Sequence, residues 1–308
     1  MMSMTNVTEG ETQEKTFEEL LCSPALVGGL QQESILFSAV NILLSITAFF
    51  GNFLILVALY KDSSLHPPSK LLYRCLATTD LLVGLVAQPL YATYCMSLVY
   101  ARWNLCQYVR EAVYVTGYAL CKVSLLTMTA ISLDRLLALL LGLRHRQIVT
   151  LRRTYIMVAS FWVLSSVIAS SYTLDYSVTF FYGRILMPTC IIVSFASYAK
   201  IFHTLSQHQA QVQDQFHHQT SHPNISRYKK AANSALWVQL ALVICYLPFG
   251  VVDIVISNSK IYSSLLVIVR GLTVVLVFFN STLNPLIYCW KISEVRQAVK
   301  QTIRRALC

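Results

Sequence analysis

Seven mostly apolar segments, each near the length needed to cross a lipid bilayer, dominate this sequence. A helix needs about 20 apolar residues to span the hydrocarbon core, and a spanning segment must satisfy its own backbone hydrogen bonds. The pattern therefore predicts an all-α membrane protein in which seven transmembrane helices form one bundle. The predicted segments are 35–60, 71–95, 108–140, 154–174, 177–205, 230–257 and 263–290.

The short loops between these segments predict a single membrane domain over 35–290, preceded by a polar extracellular tail over 1–34. An odd number of helices without internal repetition argues against the transporters that are built from repeats. Most of the 24 Lys and Arg residues follow the first, third, fifth and seventh segments. Because basic residues concentrate on the cytoplasmic side, we expect a plasma-membrane protein whose N-terminus is outside. The net charge of +10 then faces anionic membrane lipid, and no nucleic acid is expected as a partner.

The C-terminal segment over 291–308 has the pattern of an amphipathic helix at the membrane surface. Its apolar residues recur every four positions, beside a ridge of basic residues. They are Val295, Val299, Ile303 and Leu307. Cys308, at the end of this segment, is a predicted palmitoylation site, and the alternative is an unmodified thiol.

Two further predictions concern polar segments outside the apolar ones. Asn6, in the sequence "NVT" of the outer tail, is a predicted glycosylation site. His217, His218 and His222 lie in a loop rich in Gln and His, which we expect to be solvated, with metal binding as the alternative. The chain shows no pairing of a nucleophile with a base, no phosphate loop and no zinc-ligand spacing, so we do not expect an enzyme.

Polar residues inside the apolar segments are the second informative feature. Asn280, Asn284 and Tyr288 recur every four residues and lie along one face of the seventh helix. Pro285 removes a backbone donor there and frees a carbonyl that needs another partner. Asp80 is the only acid in its segment and needs a cation, a proton or several hydrogen-bond donors. We therefore expect these groups to face the interior of the bundle.

Six of the seven helices carry a recognisable marker. In chain order these are "GN" at Gly51–Asn52, "LATTD" ending at Asp80, "SLLTMTAISLDR" over Ser124–Arg135, Trp162, "CYLPF" at Cys245–Phe249 and "NPLIY" at Asn284–Tyr288. Together they resemble the rhodopsin-like (class A) G-protein-coupled receptors over residues 35–308. The resemblance implies a receptor that binds an extracellular ligand and activates a heterotrimeric G protein, with arrestin and a receptor kinase as further partners. The alternative is a seven-helix transport or scaffold protein without G-protein coupling.

The resemblance also implies a sodium site at mid-membrane depth. In this family the counterparts of five residues surround a sodium ion and water, and the ion acts as an allosteric modulator that stabilises the inactive state. The five are Asp80, Ser124, Asn280, Ser281 and Asn284. Their oxygen atoms, with Asp80 and Ser124 as the metal ligands, suit a hard cation. The alternative is a hydrogen-bonded network that holds helices together without an ion, and no other cofactor is predicted.

An activation switch is the third implication of the resemblance. Arg135 would be held at rest by its neighbour Asp134 and released on activation to meet Tyr288 and the G protein. Leu136 replaces the tyrosine that usually follows this arginine. The acid that often faces the arginine from helix six is missing from "SRYKKAANS". We therefore expect Arg135 to be held at rest more weakly than in most members of the family, a weaker lock that allows some activity without ligand.

Two prolines and one aromatic residue complete the predicted switch. Pro248 within helix six can act as a hinge, and Pro285 bends helix seven. Tyr246 stands where the family usually has a tryptophan, so the rotamer-switch role of that tryptophan carries over only in part. The alternative is a core aromatic residue beside a structural kink.

The sequence departs from most class A receptors at the extracellular side. Arg110 stands where the helix-three cysteine of the usual disulfide would be, and the second outer loop, at about 174–178, is minimal and has no cysteine. These departures resemble the melanocortin receptors and, less closely, their cannabinoid, lysophospholipid and adenosine relatives. Cys22, Cys95 and Cys106 all fall on the outer side and allow one substitute disulfide, but the sequence does not decide which two pair.

The ligand can be limited but not identified. An opsin needs a lysine where Phe278 stands, and an amine receptor needs an aspartate where Gly117 stands, so the resemblance excludes both classes. The remaining candidates near the predicted pocket are Gly117, Tyr118, Cys121, Lys122, Arg184, Phe249, Asp253, Arg270 and Val274.

Three interpretations of the charged candidates remain open. Lys122, Arg184 and Arg270 could attract an anionic lipid or another carboxylate, because charges inside the membrane are usually functional. Asp253 with Glu111 could instead hold a basic peptide. Lys122 and Arg184 could also reach towards the surface or pair with acids in a purely structural role.

Overall fold

The computed structural model describes residues 17–61, 65–173, 176–215, 223–258, 263–291 and 293–307. Within these ranges seven helices are long and apolar enough to cross a membrane, which confirms the predicted seven-helix bundle. The α-helices are α1 (Phe17–Leu20), α2 (Pro24–Val27), α3 (Gln31–Lys61), α4 (Pro67–Leu82), α5 (Gln88–Val99), α6 (Trp103–Leu141), α7 (His145–Ile148), α8 (Leu151–Ser171), α9 (Tyr176–Gln215), α10 (Pro223–Asn258), α11 (Ser264–Lys291) and α12 (Ser293–Leu307). Asn6, His217, His218, His222 and Cys308 lie outside the described residues.

The bundle presents large apolar side chains on its outer surface as well as in its interior. Leu43 and Phe53 of α3 are exposed, as expected for a surface that faces lipid tails. Leu76, Leu125 and Leu242, from α4, α6 and α10, are almost fully buried in one cluster. The crossing helices are α3, α4 continued by α5, α6, α8, α9, α10 and α11.

The second crossing helix changes its pitch halfway. α4 passes into a π-helical turn, Val83–Ala87, before α5 begins. Pro89 has no N–H, and its ring displaces the carbonyl four residues earlier, a disturbance that a π turn absorbs. Ser45 Oγ of α3 donates a 2.6 Å hydrogen bond to the carbonyl of Gly84 within the turn. The missing side chain of Gly84 matters, because a Cβ there would lie 2.9 Å from the Ser45 carbonyl oxygen.

The fifth crossing helix is continuous, although Arg184 and Pro188 interrupt its apolar pattern. α9 runs over Tyr176–Gln215 with Pro188 inside it. Since α8 ends at Ser171, only about four residues join the two helices, which confirms the minimal outer loop. The Tyr172 ring at the end of α8 stacks on Tyr114 of α6, with centroids 3.8 Å apart and an interplanar angle of 16°. This stack ties α8 to α6 near the place where the usual disulfide is missing.

Residues 17–30, which we call the N-terminal lid, fold onto one end of the bundle. Phe17, Leu21, Leu26 and Leu30 share a buried apolar cluster with Ile256 of α10. The predicted polar tail therefore contains a folded part, and α3 begins at Gln31 rather than at 35.

One disulfide fastens this lid. Cys22 pairs with Cys106 near the start of α6, with the two Cα atoms 5.8 Å apart. Cys95 keeps a free, buried thiol. The structure thus resolves the pairing that the sequence left open, and we call the covered end of the bundle the disulfide end.

The opposite end of the bundle carries α12, so we call it the α12 end. Val295, Ala298, Val299 and Thr302 are buried, whereas Ile303 is 40% exposed. The buried face follows steps of three and four residues because a helix has about 3.6 residues per turn. The predicted amphipathic helix is present, but only the first part of its predicted apolar row is buried, because Ile303 is exposed.

Candidate functional site

The carboxylate of Asp80 is the centre of a buried polar network at mid-bundle. Asn284 Nδ2 of α11 donates a 2.6 Å hydrogen bond to Asp80 Oδ2. Ser281 Oγ of α11 and Ser124 Oγ of α6 donate to Asp80 Oδ1, at 2.8 Å and 3.3 Å. All four side chains are buried. Three crossing helices therefore meet at one carboxylate, as the polar pattern predicted.

The proline in α11 explains a second part of this network. Pro285 lacks an N–H, so the carbonyl four residues earlier, on Ser281, loses its helical donor. Asn52 Nδ2 of α3 supplies the missing bond, at 3.0 Å from the Ser281 oxygen. Gly51 makes room for the proline ring, since a Cβ there would lie 3.1 Å from Pro285 Cγ. The two residues of "GN" therefore accommodate the proline of "NP": Gly51 leaves space for its ring, and Asn52 bonds the carbonyl that it frees.

Asn280 lies beside the network rather than against Asp80. Its Nδ2 donates to Met128 Sδ of α6 at 3.5 Å. The side-chain oxygens of Asn52, Asn280 and Asn284 are buried and accept no hydrogen bond from the described residues. A buried carboxylate and hydroxyl oxygens, with unfilled amide oxygens on Asn280 and Asn284 of the same helix as Ser281, are oxygen groups of the kind that suits sodium, so the chemistry of the residues present fits this ion.

Asp134 contacts partners other than the one predicted. Ser69 Oγ of α4 donates a 2.7 Å hydrogen bond to Asp134 Oδ2, and His145 Nε2 of α7 lies 3.0 Å from Oδ1. These contacts join Asp134 to α4 and α7, and the expected pairing of Asp134 with Arg135 stays a prediction. Adjacent helical residues do not face each other, whereas the loop after α6 brings His145 back against the helix.

Arg135 points towards the side of α4. Its Nη2 donates to the Tyr73 hydroxyl at 3.4 Å, and its guanidinium carbon lies 5.6 Å from the centre of the Tyr73 ring. Tyr73 in turn meets Tyr288 edge to face, with ring centroids 5.3 Å apart. Tyr73 thus lies between Arg135 and Tyr288, the two residues that the predicted switch would bring together.

Tyr246 links α10 to α6 below the disulfide end. Its hydroxyl donates to the backbone oxygen of Cys121 at 3.4 Å, and the side chain is buried. Pro248 lies two residues further along α10 and leaves the helix continuous. The polar tip of Tyr246 therefore has the partner that a buried tyrosine needs.

A cavity of about 280 Å³ opens between the Asp80 network and the N-terminal lid. Leu21 and Leu30 of the lid form part of its wall. All nine ligand-site candidates line it, from α6, α9, α10 and α11. They are Gly117, Tyr118, Cys121, Lys122, Arg184, Phe249, Asp253, Arg270 and Val274.

The charged candidates differ in their surroundings. Lys122 is only 7% exposed, whereas Arg184 is an exposed side chain. The Arg270 guanidinium carbon lies 5.5 Å from the centre of the Phe17 ring in the lid. Glu111 is exposed and is not among the cavity-lining residues, so the cavity brings Asp253 together with basic groups rather than with Glu111.

Several residues of the site carried no recognisable signal in the sequence. Ser69 lies in the first turn of α4, Tyr73 lies one turn further along the same helix, and His145 begins α7. Polar and aromatic residues are ordinary at such positions, and none of the three forms a motif in the sequence. The lid residues carry no apolar signal that stands out, because the tail around them is polar.

Comparisons with known proteins agree with this geometry. The sequence matches the family described as 7 transmembrane receptor (rhodopsin family) over residues 51–179 and 169–288, which is more than half of the chain. Adenosine receptor A2b of Gallus gallus is 23% identical over 309 residues, covering 87% of this chain and 88% of that receptor. Adenosine receptor A3 of Ovis aries is 23% identical over 292 residues, covering 86% and 88%. Adenosine receptor A2a of Homo sapiens is 24% identical over 306 residues, covering 88% and 73%.

These similarities run through all seven crossing helices, and at 23–24% identity they leave the ligand open. They rule against the transport or scaffold alternative, because the matched family consists of receptors. Seven crossing helices, the Asp80 network and the matched family lead to one conclusion. The chain belongs to the rhodopsin family of seven-transmembrane receptors and is a G-protein-coupled receptor.

Proposed function

We propose that this receptor lies in the plasma membrane with its disulfide end outside, and that a ligand in the cavity opens the α12 end to a heterotrimeric G protein. The observation that carries the proposal is the position of the Asp80 network between the cavity and Arg135. A ligand that binds the open form more tightly shifts the population towards it. The disulfide supports this orientation, since disulfides persist in oxidising compartments.

Movement of α10 away from the bundle is the step that connects the two ends. The Tyr246 hydroxyl bonds to the carbonyl of Cys121 across the floor of the cavity, so ligand contacts there bear directly on α10. Pro248 removes one hydrogen bond from the same helix and gives it a place to bend.

Sodium is the proposed allosteric modulator of this equilibrium. The Asp80 carboxylate, the Ser124 hydroxyl and the buried amide oxygens of Asn280 and Asn284 would hold it. A bound cation would favour the conformation in which α4, α6 and α11 remain together. The competing hypothesis is a network held by hydrogen bonds alone, and sodium dependence distinguishes the two.

The weak lock at the α12 end supports activity without ligand. Asp134 meets His145 and Ser69, and the sequence at the start of α10 offers Tyr228, Lys229 and Lys230 instead of an acid. The absence of an acid from this part of α10 supports the proposal that the receptor has some activity without ligand. Arrestin, a receptor kinase, membrane lipid at α12, a glycan on Asn6 and a palmitoyl group on Cys308 remain proposals on the strength of the sequence.

Guanine-nucleotide exchange tests the coupling. Membranes that contain the wild-type receptor and a panel of purified G proteins should show exchange above membranes without receptor, and Arg135→Ala should return it to background. Arg152→Ala, at an exposed basic residue of α8, is the matched control and should retain activity. If Arg135→Ala exchanges nucleotide as fast as the wild type, Arg135 does not form the contact with the G protein that we propose.

A further inference from the structure

Lys122 is a buried cation in the wall of the cavity. Its side chain is 7% exposed and lines the cavity. No carboxylate among the described residues lies within 4.0 Å of its ammonium. A charge at this depth without an ionic partner is costly, so an anion beside the ammonium would lower the free energy of the folded receptor.

The contact that Lys122 does make is with an aromatic face. Its ammonium lies 4.9 Å from the centre of the Tyr118 ring. The Tyr118 hydroxyl donates to the backbone oxygen of Thr179 at 2.9 Å, and its ring stacks on Tyr114 with centroids 5.8 Å apart. A cation–π contact offsets only part of the cost of burying an ammonium, so the site retains a strong preference for an anion.

The space for such an anion is the cavity itself, because Lys122 is one of its lining residues. On the side of α9 the packing is close: a Cβ on Gly183 would lie 3.1 Å from the Tyr118 hydroxyl oxygen and 3.7 Å from Lys122 Nζ. Asp253 lines the same cavity but forms no ion pair with Lys122 within 4.0 Å. An anion that enters the cavity could therefore meet the ammonium there.

The size and cover of the cavity decide between a small molecule and a peptide. Its volume of about 280 Å³ is just below the range of roughly 300–1,000 Å³ for small-molecule sites. Leu21 and Leu30 of the N-terminal lid form part of its wall, and the disulfide fastens the lid there. A cavity of this size holds a small molecule, whereas a peptide would need more space than this wall leaves.

We propose that the cavity binds a small molecule with one anionic group, and that the Lys122 ammonium anchors this group while the stacked tyrosines contact its apolar body. The inference deepens the proposed receptor function and rests on it. The anion could belong to a soluble aromatic acid or to an aliphatic acid derived from lipid. Both present the same chemistry to Lys122, and the experiment separates them.

The test uses two acids and their neutral amides on the purified full-length receptor without G protein. The probes are 1-naphthylacetate with 1-naphthylacetamide, and dodecanoate with dodecanamide. We expect at least one acid to bind about tenfold more tightly than its amide, the factor that a charge-assisted hydrogen bond of modest strength supplies. Lys122→Met should abolish this preference, and Lys122→Arg should retain part of it. A preference for 1-naphthylacetate over its amide would identify an aromatic acid as the ligand class. A preference for dodecanoate over its amide would identify an aliphatic acid.

Arg102→Gln is the matched control, because it removes an exposed cation that is not among the cavity-lining residues, and it should change the preference by less than about threefold. The melting temperature of each variant shows whether it is folded. Equal binding of acid and amide in both pairs, or a preference that survives Lys122→Met, would overturn the proposal. A receptor that selects acids but fails in nucleotide exchange would count against the proposed coupling and not against this site.

Discussion

Cys22 and Cys106 join the N-terminal lid to α6 by a disulfide that spans 84 positions of the sequence. Other contacts of the lid are an apolar cluster, a 3.0 Å hydrogen bond from Ser264 Oγ to the carbonyl of Leu26, and the Arg270 guanidinium over the Phe17 ring. Such a small cluster is weak without a covalent tether, so we expect the disulfide to hold the lid in place.

Replacing both cysteines by serine should release the lid. Hydrogen exchange measured by mass spectrometry should show faster exchange of the amides over 17–30, with the crossing helices unchanged. Cys95→Ser, which removes a nearby free thiol, is the control and should leave the lid protected. Unchanged protection in the double variant would mean that the apolar contacts hold the lid by themselves.

The sodium hypothesis predicts a salt-specific effect on stability. The wild-type receptor should melt at a higher temperature in sodium chloride than in choline chloride, because an ion that binds only the folded state stabilises it. Asp80→Asn should abolish the difference, since it removes the only formal charge among the five network residues. Melting of purified receptor, followed by tryptophan fluorescence, measures both.

Asp253→Asn is the matched control, because Asp253 lines the cavity outside the network, and it should keep the sodium response. A wild-type receptor that melts at the same temperature in both salts would support the network without an ion.

Tyr246→Phe should raise activity without ligand. The hydroxyl that it removes bonds α10 to the Cys121 carbonyl at 3.4 Å, and outward movement of α10 must break that bond. A net hydrogen bond is worth about 1 kcal/mol, so the equilibrium should shift by up to about fivefold towards the open form. Basal nucleotide exchange at equal receptor number is the measurement. Tyr155→Phe, at an exposed tyrosine of α8, should have no effect, and a fall in basal exchange in Tyr246→Phe would contradict the argument.

The α12 end should lose stability in mild acid through His66. Burial, followed by the charge of His145 with its ring 5.6 Å away, lowers the pKa of His66 below its usual 6.5. Arg146 and Arg135 act in the same direction, and Asp134 acts in the opposite one. Because the unfolded chain then binds more protons at His66 than the folded one, this contribution to stability is present above pH 6.5 and is lost as the pH falls below it.

His66→Asn should therefore reduce the fall in melting temperature between neutral pH and about pH 5.5, while the two proteins melt alike at higher pH. His203→Asn, at an exposed histidine of α9, should behave as the wild type does. An identical acid response in wild type and His66→Asn would show that the His66 contribution is negligible.

The contrast between Asp80 and Asp134 shows what the sequence could predict. Asp80 is an acid within an apolar helix, so only interior polar groups could satisfy it, and Ser124, Ser281 and Asn284 were the candidates available. Asp134 lies about two turns before the end of α6, where the following loop and the neighbouring helices offer many partners. Its true contact with His145 depends on the path of a loop, which apolar periodicity does not encode.

The lid and its disulfide show the same limit. Three outer cysteines allow three pairings, and the choice of Cys22 with Cys106 follows from how residues 17–30 fold onto α10 and α11. The nine ligand-site candidates, which the family resemblance suggested, all line the cavity, and their contact with a ligand stays a prediction. The relation of Lys122 to the Tyr118 ring needed side-chain positions, and the sequence contains no pattern for it.

The π turn at Val83–Ala87 also determines which side chains of α5 reach the cavity. An extra residue in one turn advances everything beyond it by about 100° around the helix axis, and with that offset Tyr91, Tyr94 and Cys95 form part of the wall. Deleting one residue from the turn would restore a regular helix and rotate these three side chains towards a neighbouring helix or the bilayer. The outline of the binding space therefore depends on the number of residues in a single turn.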